Sequence, residues 1–122
     1  MAIEYEKTMA LKAEGYEFAY GDRETMLYAL GVGFGRDPMN EKELPFVNEK
    51  GGDPEKVKVV PTMATVIAFN LPTLRGAGFN FGMMLHGEQR LKLHRPLPPQ
   101  ARVIADGRVV GCYDKGPGKG AL

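Results

Sequence analysis

The stretch Pro61-Thr62-Met63-Ala64-Thr65-Val66-Ile67-Ala68-Phe69 decides the reading of the fold. It follows a strand-like run, Val57-Lys58-Val59-Val60, that Pro61 brings to an end. Thr62 is a suitable N-cap, and Met63, Ala64, Val66, Ile67, Ala68 and Phe69 leave almost no polar face. A helix that is apolar all round belongs in an interior. The spacing therefore predicts a buried helix from Met63 to about Phe69, closed by Asn70-Leu71-Pro72.

A buried helix needs a sheet to cover it, and the last third of the chain reads as strand. From Met84 to His94, Leu85, Leu91 and Leu93 share one face while His86, Glu88, Arg90, Lys92 and His94 share the other. That period of two predicts a half-buried antiparallel strand. Arg95-Pro96-Leu97-Pro98-Pro99 breaks it, because proline supplies no ladder N–H. A second strand, rich in valine, is predicted over Ala101–Tyr113, with Gly107 and Gly111 as bend or bulge points. Asp114-Lys115-Gly116-Pro117-Gly118-Lys119-Gly120 is a turn, after which only Ala121 and Leu122 follow. A hairpin turn implies a return strand, so the expected folding unit is larger than 122 residues.

Upstream, Asp22 is a suitable N-cap and Glu24 suits the positive end of the helix dipole, with Met26, Leu27 and Leu30 as the apolar stripe and Gly31 as the stop. Residues 31–53 are rich in Gly, Pro, Asn and charge, with a weak apolar patch at Leu44–Val47, and read as a long loop or flap.

The composition fits one globular domain: 43% of residues are hydrophobic and 25% charged, unlike a disordered chain. A single cysteine excludes a disulfide framework and a multi-cysteine metal site, and suits a reducing compartment. The opening segment Met1–Lys7 is acidic, unlike a signal peptide, and the last three residues are not Ser-Lys-Leu. The longest uncharged apolar run, 59–69, is 11 residues against the ~20 a bilayer requires, so a soluble chain is expected. The net charge of +1 conceals −4 in residues 1–60 and +5 in residues 61–122. The positive half suits a phosphate-bearing ligand or is a solvated face. Nucleic acid is disfavoured, because aromatics for base stacking are not interleaved with those cations.

Gly31-Val32-Gly33-Phe34-Gly35 follows a helix instead of a strand and precedes no Lys-Ser/Thr pair, so it is no nucleotide loop. His86 and His94, on one strand, would lie ~27 Å apart and share no metal. Gly87 opens space beside His86, which reads either as a group meeting a ligand thioester or as a hydrogen-bonded histidine near an interface. Cys112 has no neighbouring histidine and reads as a packing residue. Asp37, in Gly35-Arg36-Asp37-Pro38-Met39-Asn40, is either a catalytic acid or a solvated loop acid. Met83 and Met84 beside an open loop suit an adaptable acyl pocket.

Tyr28-Ala29-Leu30-Gly31-Val32-Gly33, Leu85-His86-Gly87-Glu88-Gln89, Arg95-Pro96-Leu97-Pro98 and Asp114-Lys115-Gly116 occur in that order. With them, the chain from about Tyr16 to Lys119 resembles the N-terminal half of MaoC-like dehydratases, the (R)-specific 2-enoyl-CoA hydratases, including the hydratase unit of peroxisomal multifunctional enzymes. The resemblance implies an α+β hot-dog fold, an antiparallel sheet wrapped round a buried central helix. Residues 1–122 would form one such repeat of a double hot-dog, lacking its last return strands. The catalytic repeat of the family carries an Asp-x-Asn-Pro-x-His stretch, which this chain lacks; Asp37-Pro38-Met39-Asn40 has the wrong order and no following histidine.

The resemblance thus implies the non-catalytic, substrate-accommodating half of an enoyl-CoA hydratase (a lyase), with no catalytic residue of its own. Tyr28, Pro61, Thr62 and Met63 are expected at the acyl tunnel, and His86 and Arg95 near the thioester or the CoA phosphates. No metal or redox cofactor is expected, coenzyme A being part of the substrate. Expected partners are an acyl-CoA thioester and a catalytic hot-dog repeat in the same or another chain, in a dimer or higher oligomer, with neither nucleic acid nor membrane. The setting would be cytoplasmic, or peroxisomal in a eukaryote. Two alternatives stand beside this: a non-catalytic acyl-CoA-binding or structural partner subunit, and a hot-dog thioesterase.

Overall fold

A computed structural model describes residues 3–122; Met1 and Ala2, the first residues of the segment read as unlike a signal peptide, lie outside them. The elements are α1 (Tyr5–Met9), β1 (Lys12–Tyr20), α2 (Asp22–Gly31), α3 (Leu44–Val47) and β2 (Ala101–Arg108), with several short 3-10 turns between them. β1 and β2 pair in a two-stranded sheet. Val109 N–H donates to the Leu11 carbonyl, 3.1 Å, so the start of one strand meets the end of the other and the pair is antiparallel. Helix and antiparallel sheet are thus combined in one chain, as the α+β expectation has it.

The chain divides into two compact units interleaved in sequence. One comprises residues up to Tyr16, Asn70–Gln89 and Ile104–Leu122. Here the Asp106 carboxylate accepts the Gly15 N–H at 2.7 Å, and Gly15 itself sits at φ +71°, where a side chain would be strained. The terminal turn closes as expected: Tyr113 and Leu122 exchange both backbone hydrogen bonds, 2.7 and 2.8 Å, and Asp114 accepts the Gly116 N–H. Thr8 is buried in this unit and its hydroxyl has no hydrogen-bond partner among the described residues.

The second unit comprises Glu17–Phe69 and Arg90–Val103. Its buried residues are Tyr20, Thr25, Ala29, Val57, Val60 and Met63. α2 starts one residue beyond Gly21, whose N–H donates to the Glu24 carboxylate at 2.8 Å, and α3 packs against α2. The loop between them is clamped at its base. Phe34 and Phe46 pack with ring centroids 4.9 Å apart, Gly35 N–H donates to Glu43 Oε2 at 2.8 Å, and any Cβ on Gly35 would sit 3.0 Å from Val47.

Several expectations are corrected. The buried helix over 63–69 is instead a 3-10 turn, Pro61–Thr65, followed by further turns; only Met63 is buried and Phe69 is 77% exposed. Thr62 does not cap it, and Thr65 Oγ1 donates to the Thr62 carbonyl at 2.8 Å, competing with helical pairing. The β-branched run Thr65-Val66-Ile67 adds crowding that a short helix tolerates poorly.

The predicted strand over 84–94 enters no strand ladder among the described residues, and Leu85, Leu91 and Leu93 are exposed. Alternation specifies a strand only where another strand takes up its N–H and C=O groups. Val57–Val60 is likewise extended without being a strand, and the second predicted strand ends at Arg108 instead of Tyr113. α2 lies within a residue of the expected limits, but its N-cap is Gly21 instead of Asp22, and it buries Thr25 and Ala29, leaving Leu27 and Leu30 exposed. β1 was not foreseen, although Tyr16, Phe18 and Tyr20 alternate through it.

Gly107 lies where Leu71 and Thr73 cross β2: an added Cβ would fall 2.7 Å from Leu71 Cδ2 and closer still to Thr73 Oγ1. Gly107→Ala is expected to destabilise the protein by about 1–3 kcal/mol through overpacking. Adding Thr73→Ala should recover part of that loss in denaturant midpoints.

The Gly21 N–H, ahead of any other cause, holds the Glu24 carboxyl below the usual carboxylate range. A depressed folded-state value stabilises above the unfolded-state pKa, and the effect is lost as pH falls through the folded-state one. The stability difference between the parent protein and Glu24→Gln should therefore shrink from neutral pH toward about pH 3 in thermal unfolding.

Candidate functional site

The candidate site is a cleft of about 380 Å³ within the second unit. Leu93, His94, Arg95, Pro96 and Leu97 supply five consecutive lining residues, and Val59 and Pro61 supply the others. The lining is predominantly apolar, with a guanidinium and an imidazole among it. Among the described residues Arg95 has no ion pair.

Charge concentrates on the segment that brings these residues. Arg90–Val103 carries four cations, Arg90, Lys92, Arg95 and Arg102, and no acid. Residues 17–69 of the same unit carry nine acidic and six basic side chains. The two units end near balance, at +1 and 0, so the expected contrast between chain halves does not survive folding. What survives is a local excess of four positive charges on the segment that lines the cleft.

The proline-rich segment is caught by two hydroxyls. Tyr20 Oη donates to the Pro98 carbonyl at 2.8 Å, and Thr25 Oγ1 donates to the Pro99 carbonyl at 2.8 Å. Both side chains are buried, Thr25 completely. Burial pushes the Tyr20 phenol above its ordinary pKa, which keeps it protonated and a donor. Gln100 Nε2 adds a hydrogen bond to the Glu55 carboxylate.

Pro61 and Arg95, both anticipated from the sequence, line the cleft together. Tyr28 and Thr62 are joined directly, Tyr28 Oη to Thr62 Oγ1 at 2.9 Å, but neither is among the lining residues. Met63 is buried in the core of this unit and does not line the cleft.

His86 belongs to the other unit, where its Nε2–H donates to the Glu88 carbonyl at 2.9 Å, a local contact two residues along. Met83 and Met84 also lie in that unit, and both are exposed. Asp37 accepts the Met39 N–H at 2.9 Å and serves a turn. Among the described residues no cluster of three or more His, Cys, Asp or Glu could hold a metal ion.

Leu93, His94, Pro96 and Leu97 were not singled out for a cleft from the sequence, nor were Val59, Tyr20 and Thr25. The signal for the first four was the broken alternation at Arg95. Prolines at 96, 98 and 99 deny the segment a ladder, and without one nothing imposes an alternation of side chains between two faces.

Residues 18–122 match the family model for the MFE-2 hydratase 2 N-terminal domain, and the chain belongs to that family. It is 33% identical over 113 residues to "Enoyl-CoA hydratase 2, peroxisomal" of Arabidopsis thaliana, covering 88% of this chain and 36% of that protein. It is also 33% identical over 113 residues to "Peroxisomal multifunctional enzyme type 2" of Mus musculus, covering 88% and 15%. With "3-hydroxyacyl-thioester dehydratase Y" of Mycobacterium tuberculosis it shares 36% identity over 107 residues, covering 86% and 34%. The chain therefore matches between 15% and 36% of the length of these three relatives. Among the described residues no helix is long and apolar enough to cross a membrane.

The Tyr28–Thr62 hydrogen bond is exposed, so its net value is small. A double-mutant cycle with Tyr28→Phe and Thr62→Val is expected to give a coupling of no more than about 1 kcal/mol in unfolding free energy.

Proposed function

We propose that this chain is the substrate-accommodating half of an enoyl-CoA hydratase. The observation that carries the reading is membership of a hydratase N-terminal domain family across residues 18–122. The reaction is the reversible addition of water to a trans-2-enoyl-CoA. The water oxygen bonds to C3, a proton adds at C2, and the product is the (R)-3-hydroxyacyl-CoA.

In this reading the chain is a hot-dog repeat of a double unit. The carboxylate and imidazole that activate water come from a second, catalytic repeat, in the same or another chain. The division of labour rests on the chemistry present here. The chain holds no Asp-x-Asn-Pro-x-His stretch, and Asp37 is engaged in a turn. It does hold an apolar cleft edged by Arg95, on a segment with four cations and no acid.

Val59, Pro61, Leu93, Pro96 and Leu97 offer surface to an acyl or pantetheine chain. The Arg95 guanidinium, planar and always charged, suits a phosphate of coenzyme A. Tyr28, Thr62 and Met63 are read with Pro61 as acyl-tunnel residues, whereas His86 lies in the other unit and forms no part of this cleft. Coenzyme A enters as part of the substrate, and no metal or redox group takes part. The active assembly is a dimer or higher oligomer that is neither membrane- nor nucleic-acid-bound, cytoplasmic in a bacterium and peroxisomal in a eukaryote.

The complete protein carrying this chain is expected to convert crotonyl-CoA and longer trans-2-enoyl-CoA thioesters to 3-hydroxyacyl-CoA without releasing free CoA. Release of free CoA would instead identify a thioesterase, and binding without turnover would identify a non-catalytic partner. Arg95→Ala should raise KM about tenfold, the equivalent of one charge-assisted hydrogen bond, with kcat little changed. Asp37→Ala should leave both constants at the parent values; loss of turnover with the fold intact would place catalysis in this chain.

A further inference from the structure

We propose that Tyr20 and Thr25 are positioning residues for the cleft, acting through the carbonyls of Pro98 and Pro99 to hold the Leu93–Leu97 wall in place. What the wall presents to a ligand rests on the reading of the cleft as an acyl-CoA site; that the two hydroxyls fix the wall does not.

The wall has an unusual problem of support. It lies outside any strand, and prolines at 96, 98 and 99 remove three N–H donors from four positions. A segment of that kind cannot be held along its length by a regular ladder. Its carbonyls remain able to accept from side chains, and Tyr20 and Thr25, both buried, donate to two successive ones, each at 2.8 Å.

Both donors stand on regular elements: Tyr20 is the last residue of β1, and Thr25 lies on the buried face of α2. Neither side chain has room for an alternative partner in solvent, since both are buried. The two bonds fall directly after Leu97, so their loss frees the end of the wall. Arg95 and Leu97 would then move relative to Val59 and Pro61, which the 3-10 turn and the buried Val60 and Met63 keep in place.

The roles are those of supports. Neither Tyr20 nor Thr25 lines the cleft. Their removal should therefore change how tightly ligand is held, and leave the chemical step alone. Thr25→Val keeps the shape of the side chain and removes the donor. Tyr20→Phe does the same for the phenol. Thr25→Ser retains the hydroxyl, and it controls for packing.

The test uses the complete protein, with two readouts. The first is limited trypsin cleavage, compared between the Lys92–Leu93 bond of the wall and the Arg23–Glu24 bond of α2. Tyr20→Phe and Thr25→Val should each speed cleavage after Lys92 by about tenfold, the equilibrium equivalent of one lost hydrogen bond, while cleavage after Arg23 stays at the parent rate. The second is turnover of crotonyl-CoA. KM should rise about tenfold in each variant with kcat within about twofold, and Thr25→Ser should restore both readouts.

Unchanged cleavage after Lys92, or an equal rise after Arg23, overturns the proposal, because the hydroxyls then do no more than stabilise the fold. Faster cleavage after Lys92 with an unmoved KM overturns the positioning role. If the parent protein neither binds nor turns over enoyl-CoA, the reading of the cleft fails. The cleavage comparison still decides by itself whether the hydroxyls hold the wall.

Discussion

Two buried hydroxyls meeting two proline carbonyls are the interaction on which the cleft depends. Tyr20 and Thr25 reach Pro98 and Pro99 from a strand end and a helix face, and so tie an irregular segment to regular ones. The bonds are modest singly, of the order of 1 kcal/mol net. Their weight lies in the burial of the donors: a hydroxyl left unpaired inside costs more than the bond contributes when made. The proline segment could follow many routes in isolation. In this fold, the route that satisfies both carbonyls brings Arg95 and Leu97 to the same cleft as Val59 and Pro61.

What was legible in the sequence was the punctuation. Asp22, Glu24 and Gly31 bounded α2, Pro98-Pro99 preceded β2, and the Asp114–Gly120 turn closed into a hairpin. These are local effects, in which a side chain or a missing N–H acts on its own backbone. Side-chain burial was not legible to the same degree. The all-apolar run after Thr62 reads as an interior helix, yet the Thr65 hydroxyl takes up the Thr62 carbonyl, Val66 and Ile67 crowd a short helix, and Phe69 remains outside. The alternation over 84–94 was real, but alternation states only which faces differ. Whether a strand forms depends on a neighbour that the pattern itself does not encode.

The candidate site divides along the same line. Pro61, expected at the acyl tunnel from the resemblance, and Arg95, singled out for its charge, line one cleft. Tyr28 and Thr62, both expected at an acyl tunnel, are joined by a hydrogen bond across 34 positions, but outside the lining. His86 was placed by motif alone, and its ring turns to a carbonyl two residues away. Tyr20 and Thr25 escaped notice because nothing about a lone hydroxyl announces the distant carbonyl it will meet, 78 and 74 positions along the chain. The charge pattern shows the same limit. Chain halves at −4 and +5 become units near neutrality once folding interleaves them, and only the cation-rich segment 90–103 keeps its character.

The clamp at the base of the loop between α2 and α3 has a different consequence. Phe34 against Phe46, with Gly35 bonded to Glu43, closes that excursion at its root, while the tip is organised by the local turns of Asp37 and Asn40. Chain length at the tip is thereby uncoupled from the geometry at the root. Extra residues between Asp37 and Asn40 would add closure entropy that grows only logarithmically with length. The tip is therefore a permissive graft point, where a reporter peptide or an affinity tag can be carried without unseating the rings below it.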